Sequence, residues 1–286
     1  MANLRKIRTR IKSVQSTQQI TKSMKMVAAS KLRRTQAAFG DLRSFAEKSA
    51  KILARVSACG EDNPYLTPHE ENGKLCYVLI VGNRGLCGTY NTALLRYLED
   101  LNREEEREAY LVVAGRWGKD MIQTLGLPVR RSFEVSDTPS TAEARALSEY
   151  LRELYRDGEA DEIVLVYEQF CSVLSQNPGS KTLLPLRPEE GAVDSESVIF
   201  EPDRKSLLDA LVDMYLDNTV HAALLEARTG EHSARMTAMT AASDNTEELI
   251  NDLTLELNHA RQAAITTEIT EIASGAEALR NSQAGG

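Results

Sequence analysis

The sequence predicts an α/β protein in which long N- and C-terminal helices form an antiparallel coiled coil and a mixed strand-and-helix domain lies between them. Three observations predict it. No proline precedes Pro64 or follows Pro202, so both ends lack the strongest helix breaker. Each end carries an apolar stripe at alternating steps of four and three, and the middle alternates buried-strand runs with amphipathic segments.

The N-terminal stripe runs Ile7, Ile11, Val14, Gln18, Thr21, Lys25, Ala28, Leu32, Thr35, Phe39, Leu42, Ala46, Ser49, Leu53, Val56; ten of these fifteen positions are apolar. The C-terminal stripe is longer: Leu208, Leu211, Tyr215, Asn218, Ala222, Leu225, Thr229, His232, Met236, Met239, Ser243, Thr246, Ile250, Leu253, Leu257, Ala260, Ala264. Two core helices of a bundle share most of this pattern, and length separates the readings. Helices over 3–57 and 204–280 would be on the order of 80 and 115 Å long, beyond the diameter of a compact domain. They are expected to project, with the C-terminal one overshooting by roughly 20 residues, about 30 Å. There the apolar residues change face, to Ile265, Ile269, Ile272, Ala276 and Leu279, which predicts a second protein at the tip. Gly230 is the main internal weakness, at about 1 kcal/mol relative to Ala in a helix. The organisation read from sequence is therefore residues 1–60 as one coiled-coil helix, 74–200 as the α/β domain, and 204–286 as the helix pairing with 1–60.

In the middle, Leu75 to Val81, Tyr110 to Ala114 and Ile163 to Tyr167 are buried-strand runs, and Thr141 to Tyr155 is an amphipathic helix. Segments near Lys181 to Leu186 and Val198 to Phe200 are candidate antiparallel edges. After the first strand comes Gly82-Asn83-Arg84-Gly85-Leu86-Cys87-Gly88, a glycine turn leading into a helix. A Rossmann-like domain uses such a turn to cradle phosphate. The spacing here is GxxGxxG rather than GxGxxG, no Lys-Ser or Lys-Thr follows, and no acidic residue ends a second strand about 20 residues on. Gly85 and Gly88 are read as structural turn residues, with phosphate binding as the alternative.

Charge excludes other classes. Residues 1–40 carry ten basic side chains and no acidic one, whereas 204–286 is acidic, against a net charge of -8. A basic arm is one signature of nucleic-acid binding, but Phe39 is its sole aromatic and the acidic segment competes for the charge. No apolar run of about 18 residues spans a bilayer, and no secretory h-region is seen at the N-terminus. Cys59, Cys76, Cys87 and Cys171 form no CxxC pair and are expected to be reduced thiols. His69, His221, His232 and His259 have no metal-site spacing, Glu104-Glu105-Glu106 reads as a solvated helix end, and no catalytic residue, metal site or cofactor is expected.

Several motifs carry a resemblance. Ile20-Thr21-Lys22-Ser23-Met24-Lys25-Met26-Val27-Ala28-Ala29-Ser30-Lys31-Leu32, Arg84-Gly85-Leu86-Cys87-Gly88, Phe200-Glu201-Pro202-Asp203, Ser233-Ala234-Arg235-Met236-Thr237-Ala238-Met239, and Ala260-Arg261-Gln262-Ala263-Ala264-Ile265-Thr266 through Ile272-Ala273-Ser274-Gly275-Ala276 resemble the ATP synthase gamma subunit, in that family's order and over essentially the whole chain. The resemblance implies a central rotor shaft without a catalytic site. Its coiled coil would turn inside a ring of alpha and beta subunits, and its α/β domain would be a foot meeting the epsilon subunit and the c ring. The complex would be peripheral on the cytoplasmic face of a bacterial inner membrane, reached only through partner subunits. Met24, Lys25, Arg261, Gln262 and Thr266 match positions facing the beta subunits, and Ile265, Ile269, Ile272 and Leu279 the tip in its apolar sleeve. Phe200 and Glu201 match the foot, on the epsilon or c-ring side. Thr229-Gly230 departs from the Ala-Ser common in relatives. An enzyme with a nucleotide-binding α/β domain, and a purely structural adaptor, are the other classes the residues leave open.

Overall fold

The computed structural model describes residues 2–57, 63–69, 73–187, 201 and 203–284. In chain order the elements are α1 (Ala2–Ser57), β1 (Leu75–Ile80), α2 (Tyr90–Arg103), β2 (Ala109–Ala114), α3 (Lys119–Gln123), β3 (Val129–Phe133), α4 (Thr141–Arg156), β4 (Glu162–Phe170), β5 (Gln176–Leu184) and α5 (Arg204–Ala284). The sheet order is β3-β2-β1-β4-β5, with β5 antiparallel to β4 and every other pairing parallel.

The chain forms two compact units, Val27–Ala238 and Met1–Met26 with Met239–Gly286. α1 and α5 each contribute residues to both units. Every residue of the two stripes is buried or half-buried.

In the larger unit, β1 and β2 are buried along their whole length, as expected of parallel central strands covered on both faces. Alternation along β1 sorts its side chains. Leu75, Tyr77, Leu79 and Val81 pack with Leu94, Leu95 and Leu98 of α2 and Ile122 of α3. Cys76, Val78 and Ile80 pack on the opposite face with Leu147 and Leu151 of α4, Leu208, Val212, Leu216 and Leu224 of α5, and Leu53 and Val56 of α1. The long helices thus supply part of the layer that a further α/β helix would otherwise form. The start of α4 is set by a capping box, in which the Glu143 amide donates to Ser140 Oγ (3.3 Å) and the Ser140 amide to Glu143 Oε2 (2.8 Å).

Two local readings change, and one strand has no counterpart in the sequence pattern. The edge at Lys181 begins earlier, at Gln176, because Pro178 and Gly179 are tolerated on an outer strand. Strand β3, Val-Arg-Arg-Ser-Phe, carries no apolar period because it is the exposed opposite edge; Arg131 stacks 4.8 Å from the Phe133 centroid and 4.5 Å from that of Tyr150. The acidic run after α2 is not wholly solvated. Glu105 accepts from Arg107 Nη2 at 2.7 Å, and that bond holds its carboxyl down at about 2. The segment Val198 to Phe200 lies outside the described residues.

The smaller unit contains the first turns of α1 and the last part of α5. Ile7 and Thr21 are buried on one segment, and Met239, Ser243 and Leu253 on the other. Among the described residues, no ion pair joins the basic side chains of 1–26 to the acidic ones of 239–276. The described residues buried in this unit are all stripe positions.

Candidate functional site

Two places carry unusual residues: the glycine turn after β1, in the larger unit, and the α5 surface after Ala264, in the smaller.

Val81 extends the strand ladder by donating to Ala114 O (3.0 Å), and Gly82 follows with its amide on Asn91 Oδ1 (2.9 Å). The turn then takes left-handed geometry at Leu86 and Gly88, both at φ 61°. Glycine accepts this without strain, whereas a leucine must be held there. The holding groups come from α5. Arg235 donates from Nη2 to Arg84 O (3.0 Å) and from Nε to Gly85 O (3.3 Å). Arg228 donates from Nη1 to Val81 O (3.2 Å) and from Nη2 to Asn83 Oδ1 (3.0 Å). Between them, Glu231 accepts from Arg228 Nη1 and Arg235 Nη2, each at 2.6 Å, and from the Asn83 amide at 3.2 Å.

Arg228 and Glu231 are each only 1% exposed. Burial opposes the charge on Glu231, but Arg228 and Arg235 more than offset it and hold the carboxyl below its ordinary value. The network continues outward: Asn83 Nδ2 donates to Val135 O (2.7 Å), and Lys31 of α1 pairs with Asp137 at 2.5 Å. Bonding to Lys31 pulls the Asp137 carboxyl down to about 2, despite partial burial. His232 is buried beside Asp137 O (3.3 Å), and burial lowers its pKa.

Gly230 has a packing reason. A Cβ there would lie 3.2 Å from Cε2 of Tyr90, whose hydroxyl donates to Ala227 O at 2.7 Å. Beside this contact sits Glu168 of β4, 2% exposed, with Oε2 unpartnered; burial raises its pKa to about 7.

On the smaller unit, α5 is exposed at every position from Ile265 to Ala276, with Ile265 44%, Ile269 61% and Ile272 72% exposed. A family model described as ATP synthase matches residues 3–279. The ATP synthase gamma chain of Moorella thermoacetica is 43% identical over 98% of this chain and 100% of the relative, and that of Desulfitobacterium hafniense 42% identical over the same shares. The chain belongs to the ATP synthase gamma-chain family. A solved Euglena gracilis mitochondrial ATP synthase, comprising OSCP, F1 and c ring, holds a chain matching with TM-score 0.71 at 20% identity, covering 100% of this chain and 97% of that one. At that identity the likeness concerns the fold.

On this gamma-chain scaffold, Met24 and Lys25 are half-buried near the middle of α1, while Arg261, Gln262 and Thr266 are exposed on α5 in the same compact unit. The Thr266 hydroxyl is turned back onto Gln262 O at 3.0 Å. Glu201 is exposed, and Phe200 and the side chain of Leu279 lie outside the description. Gly85 and Gly88 lie in the turn, and of the two glycines Gly88 has positive φ. Sequence reasoning gave Arg228 and Glu231 no role, and treated Arg235 only as part of a family motif. The available signal was three charges at i, i+3 and i+7 on one helical face, separated by His232 and otherwise small residues. Among the described residues, no His, Cys, Asp or Glu cluster suits a metal, and no helix is long and apolar enough to cross a membrane.

Proposed function

We propose that the chain is the central rotor shaft of a rotary ATP synthase, coupling ion flow through a c ring to ATP synthesis or hydrolysis in an alpha-beta catalytic head, with no catalytic site of its own. The observation that carries this reading, within the family assignment, is the exposed isoleucine row beyond Ala264. A helix end that presents Ile265, Ile269 and Ile272 to solvent requires an apolar partner, and a sleeve of apolar side chains permits turning because dispersion contacts have no fixed direction.

In this reading Met24, Lys25, Arg261, Gln262 and Thr266 meet the beta subunits. Arg261 can pair with carboxylates and Gln262 can hydrogen-bond. The domain over 74–200 is the foot, with Phe200 and Glu201 on the epsilon or c-ring side. Residues 1–60 and 204–286 form the shaft. Membrane association goes through the partner subunits, on the cytoplasmic face of a bacterial membrane. An asymmetric shaft biases each beta subunit toward a different conformation as it turns. Nucleotide chemistry then belongs to the head, a division supported by the filling of the foot's turn by Glu231. Co-expression with alpha and beta subunits tests the assembly: the expected result is one complex containing all three, and persistent separation of this chain from an assembled alpha-beta ring would refute it.

A further inference from the structure

The sheet order places a reversal between β1 and β4: the chain leaves β1 toward β2 and β3, then returns to build β4 on the other side. The crevice beyond the carboxyl ends of such strands is where open α/β sheets receive ligands, with backbone amides of the first turn facing an anion. In this chain the first-turn amide of Asn83 faces a carboxylate that belongs to the chain itself. Gly82 permits the approach, since a Cβ there would stand 3.0 Å from Glu231 Cδ.

The occupant is chemically complete. Its two oxygens each accept from a guanidinium, and those same guanidinium groups cover Val81 O, Arg84 O and Gly85 O. At 1% exposure, Glu231 leaves a ligand no access to the place it fills.

We propose that Glu231 is an internal anion, seated where a bound phosphate would sit on a sheet of this type, and that it is the positioning residue locking the sheet and its turn to α5. Arg228 and Arg235 are the cations it neutralises, and Asn83 extends the lock through Asp137 to Lys31 on α1. The anion site of the fold is thereby spent on a joint instead of a ligand. The role of that joint in transmission rests on the rotor reading; the internal-anion assignment does not.

The test separates the two. Emptying the seat by Glu231→Ala leaves two guanidinium groups and an amide converging on a space that suits a small oxyanion. In thermal melts of the full chain, Glu231→Ala is expected to have a lower midpoint than wild type. Sodium formate should raise that midpoint more than it raises wild type, and sodium chloride at equal ionic strength should not. Equal effects of formate on both proteins would overturn the assignment. Where the alanine variant does not fold, Glu231→Gln fills the seat without its charge and must still melt below wild type, and an unchanged midpoint overturns the proposal.

In the reconstituted complex, Glu231→Gln is expected to keep ATP hydrolysis while losing part of the ion pumping driven by it, a split that simple loss of folded chain would not produce. Pumping and hydrolysis that stay in the wild-type ratio would overturn the transmission role. Failure of the wild-type chain to enter the complex would instead defeat the rotor reading and leave the formate result to decide the internal anion.

Discussion

Replacing Glu168 by glutamine should stabilise the protein at neutral and alkaline pH and have little effect in acid. Glu168 lies on β4, 2% exposed, and the hydroxyl of nearby Tyr90 is committed to Ala227 O. Its Oε2 is buried with no hydrogen-bond partner, and burial raises the carboxyl pKa from 4.5 to about 7. Because the folded value lies above the unfolded one, the folded state holds its proton longer. Between about pH 4.5 and 7 the unfolded state ionises first, so stability falls as pH rises through that window and levels off above it. A shift of this size corresponds to about 3 kcal/mol at about 1.4 kcal/mol per unit. At roughly 2–4 °C per kcal/mol for a chain of this class, the midpoint should drop by about 6–12 °C across the window. Melts of wild type and Glu168→Gln from pH 4.5 to 8 measure it. The difference should widen with pH in favour of the variant, and parallel curves would refute the burial argument.

Three further outcomes follow from the helices. Leu253→Ala, at a buried stripe position, should cost about 2–5 kcal/mol in unfolding of the free chain, seen as a lower denaturant midpoint. Ile269→Glu, at an exposed position, should leave that midpoint within about 0.5 kcal/mol yet weaken co-purification with alpha and beta subunits. Met24→Lys should preserve assembly and reduce ATP-driven ion pumping relative to hydrolysis, and an unchanged ratio in a normal complex would count against a contact there.

The two stripes were legible because burial along a long helix repeats at one period, and even Gln18, Thr21 and Asn218 occupy the inward face where that period puts them. Central strands β1 and β2 were legible because strands covered on both faces become uninterrupted apolar runs. Strand β3 was not, since Arg130 and Arg131 serve an edge through their stems and their stacking on Tyr110, Phe133 and Tyr150. The Arg228, Glu231 and Arg235 cluster escaped for a different reason. Its spacing marks a face, but its partner is a set of backbone groups more than 140 residues away in sequence, on which no local pattern reports. Gly230 reads as a weak point from helix propensity alone, and the Tyr90 ring it accommodates appears only in the packing.

The measurement that bears most directly on the rotor reading is ATP hydrolysis by an alpha-beta ring prepared without its shaft, assayed before and after addition of this chain. A rotor shaft should restore sustained hydrolysis, and joining the c ring should then couple it to ion movement. A chain that binds the ring and leaves its hydrolysis unchanged would contradict it.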